Sequence, residues 1–166
     1  MPPLVAAMIS LGVLGAIDTY ITATVFPVPV WVTFIAWASF FACGGKQAGL
    51  VKSVVSNWTG ILIASLSLLA IHVAPSDPVF AAVIVGLGTS AMIAVSAWPI
   101  LDFPPAIVFG FASLVGTSAA TDTSIVAWGI THPTLVAAAA MLLGGLFGYV
   151  SEIGTQLLAQ KRPAAA

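Results

Sequence analysis

The sequence predicts an all-helical membrane protein with six transmembrane helices, arranged as two inverted repeats of three helices each. Three observations lead to this prediction. Of the 166 residues, 60% are hydrophobic and only 5% are charged, and the mean hydropathy is +1.15. A soluble domain carries about a quarter charged residues, so lipid must be the solvent of this chain. Apolar segments then follow in the order long, short, long, twice over, and prolines open both short segments.

Six apolar segments are expected to form the helices. The four long ones can span the hydrocarbon core, which takes about 20 helical residues. The first short segment, 30–45, would reach only about 24 Å as a helix. Two alternatives stay open for the short segments: they cross the bilayer fully, or they are re-entrant. The predicted segments are residues 4–26, 30–45, 50–73, 79–100, 104–120 and 134–158.

The segments belong to a single integral membrane domain, residues 1–166, because a chain of this length forms one compact bundle. The first repeat covers 4–73 and the second 78–158, and 159–166 form a tail. A shift of 74 residues overlays the elements of the two halves. The order of elements and the proline breaks support the repeat, whereas residue identity under the shift does not exceed chance. An odd number of spans per repeat would make the halves inverted.

The basic residues give an independent prediction of topology. Lys46 and Lys52 follow the second segment, and Lys161 and Arg162 follow the sixth. If all six segments cross, all four positive charges lie on the same side as the N-terminus. If the short segments are re-entrant, the two lysines of the first pair lie opposite the tail. Positive charge in short loops stays cytoplasmic, which favours six crossings with both termini in the cytoplasm.

The two short segments carry the candidate solute site. A helix too short for the bilayer must thin it or sit among other helices around a cavity. Ser39 and Ser113 lie deep within the two segments at matching positions, and aromatic residues flank them. We expect a pore lined by weak polar groups and ring faces; the alternative is that the serines bond to their own helices and the rings face lipid. The candidate pore residues are Ser39, Ser113, Trp37, Phe41, Phe109, Phe111, Thr33 and Asp18.

Asp18 is the acidic residue of the first long segment, and Thr22 follows it one helical turn later. A charge at the centre of a transmembrane helix costs roughly 3 kcal/mol on insertion scales, and less toward the extracytoplasmic end, where we place Asp18. Two interpretations stay open. Asp18 is a cation or proton site, or an acceptor for a donor-rich solute; alternatively, it is an interfacial carboxylate paired with a polar group.

Three smaller features predict local structure. The spacing of Gly144 and Gly148 is typical of helices whose backbones approach closely. Residues 121–124 are expected to cap a short surface helix that carries Trp128. Glu152, in the last segment, is expected to pair with a lysine near the second segment.

The residue types present exclude several classes of function. Without a basic run, the chain has no basis for binding nucleic acid. There is no Ser/His/Asp set and no Gly-rich phosphate loop, so we expect neither an enzyme nor a cofactor. The lone Cys43 cannot form an internal disulfide. His72 and His132 have no carboxylate or thiol at ligand spacing, so no metal site is expected.

Four short stretches of the sequence carry a family resemblance: Pro29-Val30-Trp31, Trp37-Ala38-Ser39-Phe40-Phe41, Gly44-Gly45-Lys46 and Phe109-Gly110-Phe111-Ala112-Ser113. With these stretches, the overall plan resembles a family of small bacterial inner-membrane proteins of unknown function. The resemblance implies a location in the bacterial inner membrane and no particular activity. A looser, architectural similarity is to inverted-repeat solute channels such as aquaporins and urea channels, although the Asn-Pro-Ala boxes of aquaporins are missing.

These observations lead to a functional hypothesis with two alternatives. We expect a channel or facilitator for a small uncharged polar solute, of the urea, short amide or ammonia class. We expect it to lie in the lipid bilayer as a homo-oligomer, because this bundle is small for an isolated pore. The first alternative is an ion- or proton-coupled transporter of small solutes that uses Asp18. The second is a non-transporting membrane subunit of a larger complex.

Overall fold

The computed structural model describes residues 1–74 and 77–159. This part of the chain contains six α-helices, no β-strand and one turn of 3-10 helix at Pro99–Leu101, which confirms the all-helical fold class. Lys161 and Arg162, on which the topology prediction partly depends, lie outside the described residues, as does the tail from 160. The helices are α1 (Pro3–Thr24), α2 (Val30–Ala42), α3 (Lys46–Val73), α4 (Pro78–Val95), α5 (Pro104–Ala120) and α6 (Pro133–Ala159).

Four of the described helices, α1, α3, α4 and α6, are long and apolar enough to cross a bilayer, which indicates a membrane protein. The other two correspond to the predicted short segments. Helix α2 has 13 residues and α5 has 17, which makes them about 20 and 26 Å long. Helix α2 ends before residue 45 because Gly44 and Gly45 adopt φ angles of 98° and 65°, a left-handed conformation that terminates helices.

Prolines and one aspartate determine where helices begin. Pro3, Pro78 and Pro104 lie in the first turns of α1, α4 and α5, where a helix needs no N–H donor and the fixed φ of proline is already helical. The Oδ1 atom of Asp77 accepts hydrogen bonds from two backbone N–H groups at the start of α4, at 2.9 and 3.1 Å. This carboxylate therefore caps the helix, and its negative charge interacts favourably with the positive N-terminal end of the helix dipole.

Each short helix packs mainly on a long helix from the other half of the chain. Helix α2 lies against α6, and α5 lies against α3. Helix α1 also packs on α6, and α4 packs on α3. Helices α3 and α6 contact each other, and α1 and α4 bury the least of the four long helices. The central helices are thus α3 and α6, and the outer ones are α1 and α4.

Glycines allow the backbones to touch at two helix crossings. A Cβ atom built on Gly60 of α3 would lie 1.8 Å from the carbonyl oxygen of Ile107 in α5. In the same crossing, a Cβ on Gly110 would lie 1.8 Å from the carbonyl oxygen of Asn57. Gly144 of α6 has the same role beside α2, where the Thr33 carbonyl oxygen would be 2.0 Å from its Cβ. The close backbone approach predicted at Gly144 is therefore present, and no side chain fits at these points.

One end of the bundle holds the N-terminus, the end of α6 and the turn between α2 and α3. The ammonium group of Met1 donates to the carbonyl of Leu158 at 3.5 Å. The backbone N–H of Lys46 donates to Oε2 of Glu152 at 2.6 Å, so the predicted pairing of Glu152 is made with the backbone of Lys46. We refer to this part of the bundle as the terminal end.

The two short helices run in opposite directions. Helix α5 begins at the terminal end, because Asp102 before it forms an ion pair with Lys52 in the second turn of α3. Its last turn reaches the opposite end, where Ser118 lines a cavity with His72. Helix α2 ends at the terminal end, three residues before Gly45, whose position is fixed by contact with Glu152.

The segment 121–132 forms turns and contains no helix, so the predicted surface helix around Trp128 is wrong. Asp122 and Gly129 adopt positive φ angles of 48° and 109°, and left-handed residues of this kind interrupt a helix. The side chain of His132 holds the segment in place, because its Nε2 atom bonds to the carbonyl of Ile125 at 2.9 Å. The indole of Trp128 is left 96% exposed.

Candidate functional site

A closed ring of three hydrogen bonds connects α2 to α3. Ser53 donates to the hydroxyl of Ser39 at 2.8 Å, Ser39 donates to Oδ1 of Asn57 at 3.1 Å, and Nδ2 of Asn57 donates to Ser53 at 3.3 Å. All three side chains are fully buried. The ring satisfies both hydroxyls and the amide oxygen, so three polar groups are stable in an otherwise apolar bundle. We refer to these residues as the polar triad.

The local sequence explains why the triad forms. Ser53 and Asn57 are four residues apart on α3, so they lie on the same face of the helix. The same face carries Gly60, which brings α5 into backbone contact. Ser39 was expected at the site from the sequence, but its two partners on α3 were not. The signal for them was the spacing of small and polar residues at 53, 57 and 60 within an apolar span.

Three further hydroxyls near the helix crossings are buried without a hydrogen-bond partner in the described part of the chain. They are the side chains of Ser56 on α3 and of Ser113 and Thr117 on α5. Ser113 and Thr117 are one turn apart, and Gly110, one turn before Ser113, touches the carbonyl of Asn57. An unpartnered buried hydroxyl costs about 1–3 kcal/mol. The crossing of α3 and α5 therefore combines a satisfied polar cluster with unused hydrogen-bonding capacity.

The two predicted pore serines have similar burial but different hydrogen bonding. Ser39 and Ser113 are both fully buried, as expected for residues deep within the short helices. Ser39 bonds to α3 through the polar triad, whereas Ser113 has no partner among the described residues. The two hydroxyls are not hydrogen-bonded to each other.

The four candidate aromatic residues of α2 and α5 have different surroundings and do not form one cluster around the two serines. Trp37 is 5% exposed, and its indole N–H donates to the hydroxyl of Ser151 in α6 at 3.0 Å. Phe41 is 41% exposed and lines an apolar groove of about 270 Å³ together with Trp37. Phe109 packs partly buried against an apolar cluster that includes Val32, Ile61 and Leu114. Phe111 packs against this cluster and also against a second one, formed by Met92, Leu101 and Ile107, and its ring borders Gly88.

Asp18 and Thr33, both singled out from the sequence, form a second polar site between α1 and α2. The Oγ1 atom of Thr33 lies 2.5 Å from Oδ2 of Asp18 and 2.7 Å from the carbonyl oxygen of Val30. Both side chains are fully buried, and Oδ1 of Asp18 has no partner in the described residues. Thr22 is nearby but donates to the backbone carbonyl of Asp18 at 2.8 Å. The side chain of Asp18 is therefore enclosed between helices of the bundle.

The described residues contain no group of three or more His, Cys, Asp or Glu side chains that could hold a metal ion. The ring of His132 is used locally. Its Nδ1 atom accepts from the backbone N–H of Thr134 at 3.2 Å, so Nε2 carries the hydrogen that is donated to the carbonyl of Ile125. This histidine anchors the segment before α6.

Comparison with known proteins gives a family without an activity. No curated protein and no solved structure matches the chain. Residues 8–156 match the family described as "Protein of unknown function (DUF1097)", which confirms the resemblance to a family of unknown function. Because this match covers most of the sequence, the chain belongs to the DUF1097 family.

Proposed function

We propose that this protein is a channel or facilitator for a small uncharged polar solute in the bacterial inner membrane. The observation that carries the proposal is the crossing of α2, α3 and α5, where the fully buried polar triad lies beside hydroxyls that lack partners among the described residues. Polar groups inside a membrane protein are costly and are characteristic of pathways for polar molecules. The solute class is urea, short amides or ammonia.

The chemistry of the crossing favours an uncharged solute. Hydroxyl groups donate and accept, and an amide side chain does both, so the triad and Ser113 can exchange hydrogen bonds with an amide or urea. None of these groups carries a charge. The ion pair of Lys52 and Asp102 lies nearer the terminal end, in the second turn of α3. A pathway without fixed charge provides no compensation for the dehydration of an ion.

A solute reaches the triad only when helices move. Ser39, Asn57 and Ser113 are all fully buried in this conformation, which corresponds to a closed state. Helix α2 is short, and it is held against α3 by the triad and against α6 by contacts at Gly144 and Trp37. We propose that opening separates α2 from α3, so that a solute replaces the hydrogen bonds of the ring.

Paired contacts support the inverted repeat that this proposal includes. In such a repeat, α1, α2 and α3 correspond to α4, α5 and α6, respectively. The packing of α2 on α6 then corresponds to the packing of α5 on α3. Likewise, the packing of α1 on α6 corresponds to that of α4 on α3. The two residues whose carbonyl oxygens touch a glycine of the long helix, Thr33 in α2 and Ile107 in α5, are 74 residues apart in the sequence. This is the shift that overlays the two halves. The glycine partners of these two residues, Gly60 and Gly144, are 84 apart, because segment 121–132 is longer than the turn after α2.

Six crossings with both termini in the cytoplasm are likewise part of the proposal. Helices α2 and α5 connect opposite ends of the bundle, so they are treated as short membrane-crossing helices rather than re-entrant ones. Lys46 and Lys52 then lie at the terminal end with Met1, which agrees with the positive-inside rule. We further propose a homo-oligomer that contacts through the outer helices, and measurement of the native mass in nanodiscs tests it.

A second candidate function, coupled transport, is favoured by the buried carboxyl of Asp18. A passive facilitator needs no such group, whereas carboxylates inside the membrane are common in proton relays. The two functions differ in their response to a pH gradient. A gradient drives uphill accumulation of solute only in the coupled case.

The proposal is tested with the purified protein in liposomes. Stopped-flow light scattering would measure the entry of urea, formamide and ammonia, with glycerol and sodium chloride as comparison solutes. We expect entry of the small amides to be faster than in protein-free liposomes and entry of salt to be unchanged. Amide entry equal to that in protein-free liposomes would refute the facilitator. Two alternatives would then remain: solute accumulation under an imposed pH gradient would favour coupled transport through Asp18, and its absence would favour a non-transporting subunit of a larger complex.

A further inference from the structure

We propose that Asp18 is a proton-binding site whose carboxyl group is protonated in this conformation and donates its hydrogen to Thr33. The use of this proton for coupling depends on the transport function proposed above; the protonation itself does not. Four features of the site support it: the number of hydrogens, the lack of a nearby counter-charge among the described residues, the poor fit of a metal cation, and the connection of Thr33 to the helix crossing.

The hydrogens at the site can be counted. Oγ1 of Thr33 has a single hydrogen but lies within hydrogen-bond distance of two oxygens, 2.5 Å from Asp18 and 2.7 Å from the Val30 carbonyl. One hydrogen cannot make a good bond to both. If Asp18 is protonated, it donates to Thr33, and Thr33 donates to Val30. Both contacts then contain a hydrogen, and Thr33 uses its oxygen once as donor and once as acceptor.

An ionised Asp18 would have almost nothing to stabilise its charge. Its Oδ1 atom has no partner among the described residues, and Oδ2 has only the Thr33 hydroxyl. A fully buried carboxylate without a counter-ion takes up a proton rather than remain charged.

The helices packed on α1 offer no cation in their described residues. Helices α6 and α2 are the elements that pack most closely on α1. The titratable groups that they and their caps carry are Cys43, Tyr149, Glu152 and His132, which directly precedes α6. The first three are not positively charged, and the ring of His132 is used locally, since its Nδ1 atom accepts from Thr134 and its Nε2 atom bonds to the carbonyl of Ile125. Glu152 lies at the terminal end, where Oε2 accepts from the turn before α3. The described lysines begin α3, and Lys52 is paired with Asp102. The surroundings of Asp18 therefore favour the neutral acid.

A metal cation does not fit this site as well as a proton. Hard cations such as Ca²⁺ bind about six to eight oxygen ligands. Beside the carboxyl of Asp18, the structure offers the hydroxyl of Thr33, while Thr22 directs its hydroxyl to the backbone carbonyl of its own helix. A proton needs only the single acceptor that Thr33 provides.

The site is connected to the packing of the bundle through Thr33. The carbonyl oxygen of Thr33 lies against Gly144, at the crossing of α2 and α6. Loss of the proton to water would leave a carboxylate that must be hydrated, because no donor of the described residues except Thr33 is in reach. Deprotonation therefore favours a conformation in which α1 separates from α2. The protonation state of Asp18 and the position of the short helix are linked.

Infrared spectroscopy of the purified protein in nanodiscs tests the proposal directly. At neutral pH we expect the carbonyl-stretch band of a protonated carboxylic acid, which shifts when water is exchanged for D₂O. The band is lost in Asp18→Asn and retained in Asp122→Asn, whose carboxyl lies in the exposed segment before α6. Absence of the band in the wild-type protein, or its persistence in Asp18→Asn, would overturn the proposal.

A second variant keeps the test decisive if Asp18→Asn does not fold. Thr33→Val keeps the shape of the side chain but removes the acceptor for the proton. We expect the acid band to remain and to shift to higher frequency, because the carboxyl loses its hydrogen bond. An unchanged band would contradict the assignment to Asp18. None of these measurements requires solute flux, so failure here and failure of the proposed transport function are distinguishable.

Discussion

Substitution of Gly60 by alanine tests how closely α3 and α5 are packed. A Cβ at this position would lie 1.8 Å from the carbonyl oxygen of Ile107, and ordinary contact begins at 3.4 Å. The helices would have to separate by about 1.6 Å along this line, at the turn that follows the polar triad. Overpacking of this kind costs about 1–3 kcal/mol and occasionally more. We expect the upper part of this range, because backbone cannot move aside as a flexible side chain can.

Gly86 provides a matched control. It lies in the middle of α4, is exposed, and has no atom within 4 Å of the position that a Cβ would occupy. Alanine there gains up to about 1 kcal/mol from its higher helix propensity. The two variants should therefore differ by about 3–4 kcal/mol in the free energy of unfolding. Reversible unfolding in mixed micelles, followed by circular dichroism, measures the difference. Equal stability of Gly60→Ala and Gly86→Ala would refute the close crossing of α3 and α5.

Three further predictions concern other parts of the bundle. Asn57→Leu removes two of the three bonds of the polar triad and is expected to destabilise the protein by about 1–3 kcal/mol in the same unfolding assay; a neutral effect would contradict the ring. Glu152→Ala removes the acceptor for the first N–H of α3 and should cost about 0.5–2 kcal/mol, whereas no change would show that water replaces it. On a Cys43→Ser background, single cysteines at Lys46 and Trp128 should react with impermeant maleimide from opposite sides of the membrane. Reaction from the same side would contradict six crossings.

The helices and their order could be predicted from the sequence because their signals are local. Apolar segments mark the helices, and the prolines at 78 and 104 mark where two of them begin. The segment around Trp128 was predicted incorrectly, because its turns depend on left-handed residues such as Asp122. A positive φ at a non-glycine residue is determined by tertiary contacts and is not visible in composition.

The candidate site was predictable only in part. Asp18 and Thr33 were both identified, but their contact depends on the path of the loop between α1 and α2, and no sequence pattern fixes that register. Asn57 was missed as a site residue because a polar residue near the start of a span usually lies at the membrane surface. In the structure it points at Ser39 and is fully buried.

The central claim is that the polar triad forms part of a pathway for a small uncharged solute. The most direct test is the rate of urea entry into liposomes that contain either the wild-type protein or the double variant Ser39→Ala/Asn57→Leu. Ser90→Ala is the matched control, because this exposed serine of α4 bonds to the carbonyl of Gly86 in its own helix. We predict that urea entry falls to the protein-free rate in the double variant and is unchanged in Ser90→Ala. Wild-type urea entry in a folded double variant would contradict the claim.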